Sequence, residues 1–298
     1  MQQRTSQVVH LDRLFYEVLD VKQGGFGRVW LLKRPEGLET GPIYGQYRAV
    51  KTFDFVDNDD IVVNELCNWI ELHHPAIVPL IKISHLNFRV AALMKLYKGT
   101  LGDILSKRQL SWPETRLVLL ETALALEYAF NRHKLTHLDL KPANLLVESV
   151  NPIRVCVSDW GISRLVTDRG GFNAFVSDPK RWLAAHESRT RFGMGTPLYM
   201  APERFSGSWK IDPSADIFSI GMIGIQSLTG NLPFTFDPAD VDGPIRQLIA
   251  CRYYELAERS LKAYPKGIAN LLLTCINPDP KRRLGMHHEL VQILKKTG

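Results

Sequence analysis

The sequence predicts an α+β fold in which a small, antiparallel strand-rich lobe precedes a larger, mostly helical one. Three observations carry this. Over the first hundred residues, short runs rich in β-branched and aromatic side chains alternate with glycine-containing turns. After about residue 98, two long segments are apolar almost all round, as helices buried inside a lobe are. Between those segments, "NLLVESVNPIRVCVSDWG" (144–161) holds two apolar runs about an Asn-Pro turn, the pattern of a β-hairpin. The lobes divide as 1–97 and 98–298, with a hinge near Lys95–Gly99.

Taken in order, "FYEVLDVKQGGFGRVWLLKR" (15–34) reads as strand, glycine turn, strand, and "GQYRAVKTFDF" (45–55) as a third strand. "NDDIVVNELCNWIEL" (58–72) opens with capping Asn and Asp and continues at helical spacing. "AIVPLIKISHLNFRVAALMKLY" (76–97) returns to strands. "SWPETRLVLLETALALEYAFNRH" (111–133) begins with Ser and Pro, good helix openers. "SADIFSIGMIGIQSLTG" (214–230) is the second buried helix, ending at Gly230.

Composition narrows the function classes. Apolar residues make up 45% and charged residues 23% of 298, ordinary for a soluble globular chain. No apolar run has transmembrane length, and the N-terminus lacks the layout of a signal peptide. Four cysteines without CxxC or metal spacing read as buried thiols in a reducing compartment, so a cytoplasmic location is expected. The net charge of +6 is modest and reads as solvated lysines, with no nucleic-acid partner expected beyond a nucleotide.

The chemistry concentrates in "THLDLKPANLL" (136–146), which places Asp139, Lys141 and Asn144 within six residues. In the hairpin, the start of the first strand lies beside the end of the second, so Asn144 falls next to Asp159. Both offer the hard oxygen ligands that Mg²⁺ takes beside substrate phosphates. Lys51 shares a strand face with Tyr47, Ala49 and Phe53, and a lysine there needs an anion. Glu65 lies in an apolar helical stripe with Ile61, Trp69 and Leu72, so it needs a cation. The two satisfy each other.

"HLDLKPANLL", "DWG" (159–161) and "GTPLYMAPE" (195–203) together resemble the catalytic loop, magnesium loop and substrate-docking segment of eukaryotic-type serine/threonine protein kinases. The resemblance runs from about residue 14 to 290. It implies the bilobal kinase fold, ATP and Mg²⁺, and transfer of the γ-phosphoryl to Ser/Thr hydroxyls of a protein substrate. It assigns Asp139 to the attacking hydroxyl, Lys141 to the moving phosphoryl, and Asn144 and Asp159 to the metal. It also supplies the Lys51–Glu65 pair, with Lys51 touching the α- and β-phosphates. "HPAIV" (74–78) follows Glu65 at the family's spacing. The resemblance also implies that Thr196 contacts the catalytic loop and favours hydroxyl substrates. "KQGGFGRV" (22–29) matches the glycine loop, with Gly24 and Gly27 letting backbone N–H groups approach the phosphates. The resemblance also implies that Val29, Ala49 and Leu146 sandwich the adenine, with Met94 as gatekeeper and backbone groups of Lys95 and Tyr97 on the adenine edge. By the same resemblance Glu203 is expected to pair with Arg283, Asp216 to hold the catalytic-loop backbone, and His137 to pack under the magnesium loop.

The chain departs from the family's pattern at three places. Lys22 occupies the first glycine slot. Trp160 replaces the usual Phe of the magnesium motif, and an indole–indole stack with Trp69 is expected. Leu138 stands where regulated members carry Arg, so alignment of Asp139 is expected not to need an activation-segment phosphate. The stretch 167–193 is basic, through Arg169, Lys180, Arg181, Arg189 and Arg191, and suits an acidic substrate or partner with Trp182 as anchor. Two alternatives stay open beside an active kinase: a nucleotide-binding pseudokinase scaffold and a small-molecule phosphotransferase. Retention of Lys51, Glu65, Asp139, Asn144 and Asp159 argues against the first, and "GTPLYMAPE" against the second.

Overall fold

The computed structural model describes residues 8–11, 14–24, 27–34, 47–53, 59–160, 197–205, 212–237, 240, 243–285 and 287–297. Six antiparallel strands form a closed barrel in the order β1-β2-β3-β4-β6-β5. They are β1 (Val8–Leu11), β2 (Leu14–Gly24), β3 (Gly27–Lys33), β4 (Tyr47–Thr52), β5 (Leu80–Leu86) and β6 (Arg89–Met94). Period-two alternation turns Val9, Leu11, Tyr16, Trp30, Leu32, Val50, Leu86, Ala91 and Leu93 into a core of their own. Strand β1 was not anticipated; its four residues close the barrel by setting Leu11 opposite Leu86.

Strand β4 is buried on both faces. Arg48, Val50 and Thr52 form one buried face and Lys51 and Phe53 the other, while Tyr47 at the strand's start is exposed. Lys51 lies opposite Val29 and Ala49 opposite Met94, so these four side chains share the face turned away from the barrel core. Helix α1 (Asp59–Ile70) packs against β5 and β6 on this side. Phe53, Val62, Leu66, Trp69, Ala92 and Met94 there join the main core of the molecule.

In the helical part, Thr100 and Asp103 form a capping box on α2 (Leu101–Leu105). Ser111 and Glu114 do the same for α3 (Trp112–His133), which ends at a left-handed Lys134. Strands β7 (Leu145–Val150) and β8 (Ile153–Val157) make the expected hairpin, with Leu145 opposite Val157. Helix α4 (Ser214–Thr229) ends at Gly230, whose φ of 78° suits glycine. Nearly every residue of α4 is buried, which is why its sequence shows no polar face. Helices α5 (Gly243–Ile249), α6 (Tyr253–Leu261), α7 (Lys266–Cys275) and α8 (His287–Lys296) complete this part. Helix α3 packs against α4, α8 and β8. Each fully buried Leu or Ile in these contacts contributes about 1.5–3 kcal/mol.

Candidate active site

The segment after α3 runs through Thr136–Leu140 and a short 3-10 turn, Pro142–Asn144, into β7. Its side chains converge on Asp139. Lys141 Nζ lies 2.9 Å from Asp139 Oδ2. Asn144 Nδ2 donates to the Asp139 backbone carbonyl at 2.8 Å and to Oδ2 at 3.1 Å. Both side-chain contacts fall on Oδ2, so among the described residues Oδ1 is the open acceptor.

The backbone beneath is held by charged groups. Asp216, fully buried at the start of α4, accepts from the N–H of His137 and of Leu138, each at 2.8 Å. Leu138 has φ 64°, a left-handed conformation that is costly for leucine, by about 1–2 kcal/mol. It persists because both faces of its backbone are tied: Asp216 takes the N–H, and the buried guanidinium of Arg204 donates to the carbonyl. His137 Nδ1 accepts from the Asp139 N–H at 3.3 Å, which leaves Nε2 as the donor to the Ser158 carbonyl at 2.8 Å.

Between the barrel and the β7–β8 hairpin, Lys51 Nζ lies 2.6 Å from Asp159 Oδ2. The side chains are 7% and 16% exposed, so neither charge is fully solvated. Asp159 also has a left-handed backbone, φ 65°. The Ser158 N–H and hydroxyl both donate to the Asn144 carbonyl, at 2.9 and 3.0 Å, locking Asn144 opposite Ser158, the residue before Asp159. Glu65 lies in α1, but its side chain, and with it the expected Lys51–Glu65 pairing, lies outside the described residues.

The Asn144–Asp159 donor set fits Mg²⁺. Among the described residues no three His, Cys, Asp or Glu side chains cluster as a metal cage. Magnesium needs none, since it is held by one or two protein oxygens together with phosphate oxygens and water.

On β3, β4 and β6, Val29, Ala49, Lys51 and Met94 line one face, as the register above shows. Met94 is 4% exposed. Leu146 on β7 is half-buried and bridges Thr100, its neighbour Val147 accepting from the Lys98 N–H at 3.1 Å and donating to the Gly99 carbonyl at 2.9 Å. Lys95 bonds outward to Glu148 at 3.3 Å, and its ammonium lies 5.4 Å from the Tyr97 ring. Tyr97 contacts the Cys156 thiol, and burial pushes its phenol far above the usual range. Gly24 pairs with Gly27 across the loop. A Cβ at Gly27 would lie 1.8 Å from the Thr52 carbonyl oxygen, so strand β4 itself requires glycine there. Lys22 is exposed on β2.

The expected indole stack is not formed; the ring partner of Trp160 is His137, edge-on at 5.0 Å. Both indoles are buried, and each N–H has to find a carbonyl, which sets the ring directions. Trp69 Nε1 donates to Val78 O at 2.8 Å and Trp160 Nε1 to Val157 O at 3.1 Å. The Val78 N–H also donates to Val157 O, at 2.9 Å. The two tryptophans are thus coupled through backbone, tying α1 to the loop that carries Asp159.

Farther down, Arg283 grips Glu203 with two hydrogen bonds of 2.7 and 2.8 Å, its own side chain fully buried. Leu198 and Tyr199 are buried, and Ser219 on α4 donates to the Tyr199 carbonyl at 2.8 Å. Thr196 and the basic stretch 167–193 lie outside the described residues. Sequence reasoning missed Ser158 and Arg204, because both act on backbone carbonyls and leave no side-chain pattern.

A family model described as the protein kinase domain matches residues 20–294. The chain is 30% identical over 223 residues to a carbon catabolite-derepressing protein kinase of Candida albicans, covering 74% of this chain and 32% of that one. It is 28% identical over 214 residues to the SNF1-like protein kinase ssp2 of Schizosaccharomyces pombe, covering 72% and 32%. The chain therefore spans about a third of the length of these curated relatives. The crystal structure of Rad53 1-466 in complex with AMP-PNP is similar at a TM-score of 0.66 and 20% identity, over 95% of this chain and 64% of that one. At that identity the similarity concerns the fold. No helix among the described residues is long and apolar enough to cross a membrane.

Proposed function

Because the chain belongs to the protein kinase family and has its bilobal α+β fold, we propose that it is an active serine/threonine kinase. It would transfer the γ-phosphoryl of ATP, with Mg²⁺, to hydroxyls of a protein substrate. The observation that carries this is the convergence of two charge groups: the Lys51–Asp159 pair, and Asp139 with Lys141 and Asn144.

Phosphoryl transfer needs alignment and charge neutralisation more than covalent help. Asp139 Oδ1 accepts the proton of the acceptor Ser or Thr as its oxygen bonds to the γ-phosphorus and the bond to the β-phosphate oxygen breaks. Lys141 holds Asp139 Oδ2 and balances charge on the moving group. Lys51 holds the α- and β-phosphates, and the face of Val29, Ala49, Met94 and Leu146 takes the adenine. Asn144 Oδ1 and the Asp159 carboxylate would hold Mg²⁺, which would supply positive charge against the phosphates. Thr196 favours hydroxyl acceptors, and the basic run in 167–193 suits an acidic substrate or partner.

Alignment of Asp139 is built into the core. Leu138 offers no charge for an activation-segment phosphate to neutralise, and Asp216 and Arg204 hold its backbone. Incubation with labelled ATP and Mg²⁺ against a peptide library and a panel of small alcohols tests the reading. Labelled Ser or Thr peptides support it; label confined to the small alcohols, or nucleotide binding with no transfer at all, overturns it.

A further inference from the structure

The peptide unit joining Leu138 to Asp139 is held at both ends. Its N–H points to His137 Nδ1 at 3.3 Å, and its carbonyl receives the Arg204 guanidinium. Turning this unit would swing the Asp139 carboxylate. The left-handed Leu138 gives it reason to turn, since relaxing φ toward negative values removes strain. Asp216 opposes that rotation through the two N–H groups on the preceding side. Arg204 opposes it on the side nearer Asp139.

Arg204 is an unusual residue for this task. It sits in a single 3-10 turn, Pro202–Phe205, and is 3% exposed. A guanidinium that dry requires surrounding negative charge. Burial pulls its pKa down, while the carboxylates of Asp139, Asp216 and Glu203 pull it up. Two of those acids are the one it helps to align and the one that ties the other side of Leu138. A neutral, apolar side chain would fill this space without the desolvation cost, so packing alone does not explain an arginine here.

We propose that Arg204 is a positioning residue for phosphoryl transfer, clamping the Leu138 carbonyl and so fixing the peptide that carries Asp139. The clamp opposes Asp216 across Leu138 and draws its charge from the protein core. This rests on the reading of Asp139 as the residue that takes the acceptor hydroxyl.

The test compares Arg204→Lys, which keeps charge and donor, Arg204→Gln, which keeps a donor alone, and Arg204→Met, which keeps neither. Asp139→Asn is assayed beside them, and kcat, KM for ATP and peptide, and melting temperature are measured for each. The expected result is a graded fall in kcat, Lys above Gln above Met. Misplacement of the catalytic group should lower the Met variant about 100-fold, with both KM values within about threefold of wild type. If the Met variant does not fold, the Lys and Gln variants decide: Gln below Lys at unchanged KM supports the clamp, and both at wild-type kcat overturn it. A Met variant with wild-type kcat also overturns it. So does an ungraded loss in which kcat, KM and melting temperature worsen together, the mark of damaged packing. Inactive Asp139→Asn beside fully active Arg204 variants removes the clamp alone; active Asp139→Asn removes the reading beneath it and the clamp with it.

Discussion

Lys51 on β4 and Asp159 after β8, 108 positions apart in the chain, meet at 2.6 Å. The contact spans the barrel and the hairpin of the helical part, and puts a cation beside the candidate metal ligand. Replacing Lys51 by Met strands a carboxylate that is only 16% exposed. Transfer to peptide should fall at least about 100-fold, since a preorganised charge on the phosphates is lost. Stability should fall by about 1–3 kcal/mol, discounted for the open cleft. Chemical denaturation and a transfer assay on the same sample check both.

The Glu203–Arg283 pair should behave as a structural tie. Arg283 is fully buried, also donates to the Asn277 carbonyl at 2.7 Å, and lies 5.0 Å from the Phe218 ring. Glu203→Ala leaves that guanidinium short of its main anion and should cost about 3 kcal/mol. A melting temperature lowered by several degrees is expected; an unchanged one would contradict the assignment.

Acid sensitivity should arise at His287. Burial holds this ring below its ordinary value of 6.5, outweighing attraction from Asp216 and Asp212. In the unfolded chain the ring takes a proton at the ordinary value, whereas the folded protein resists until lower pH. The unfolded state therefore binds more protons below 6.5, and stability falls as pH falls through that window. His287→Gln should flatten the pH dependence of unfolding free energy between pH 7 and 5, by at most about 1.4 kcal/mol per pH unit. Denaturant titrations across this range give the slope directly.

Independence from activation-segment phosphate is tested by replacing Thr167, Ser177, Ser188 and Thr190 by Ala together. Transfer should stay within about threefold of wild type, because the ties on Leu138 are internal. Loss of activity in a folded quadruple variant would contradict this.

Much of the site was legible because it is local. The spacing of Asp139, Lys141 and Asn144 lies in one loop, and the hairpin register sets Asn144 opposite Ser158, one residue before Asp159. Helix starts at Ser111 and the end at Gly230 were readable because capping is a property of a few adjacent residues. Strand β1 was not, since four alternating residues mean little until Leu86 stands opposite Leu11. Nor was the orientation of Trp160, which depends on which buried carbonyl lies within reach of its N–H. Arg204 escaped for the same reason: its partner is a backbone carbonyl far away in sequence. Long-range partners that are backbone atoms leave no trace in residue type.

Asp139 takes up the proton of the acceptor hydroxyl in the proposed site, which draws residues from both lobes. Single-turnover transfer from γ-labelled ATP to a Ser/Thr peptide, comparing the wild type with Asp139→Asn at equal nucleotide occupancy, tests it most directly. The wild type should transfer rapidly, and the variant should be slower by at least about 100-fold with nucleotide affinity preserved. Equal rates in the two proteins, or no transfer by a nucleotide-saturated wild type, would contradict it.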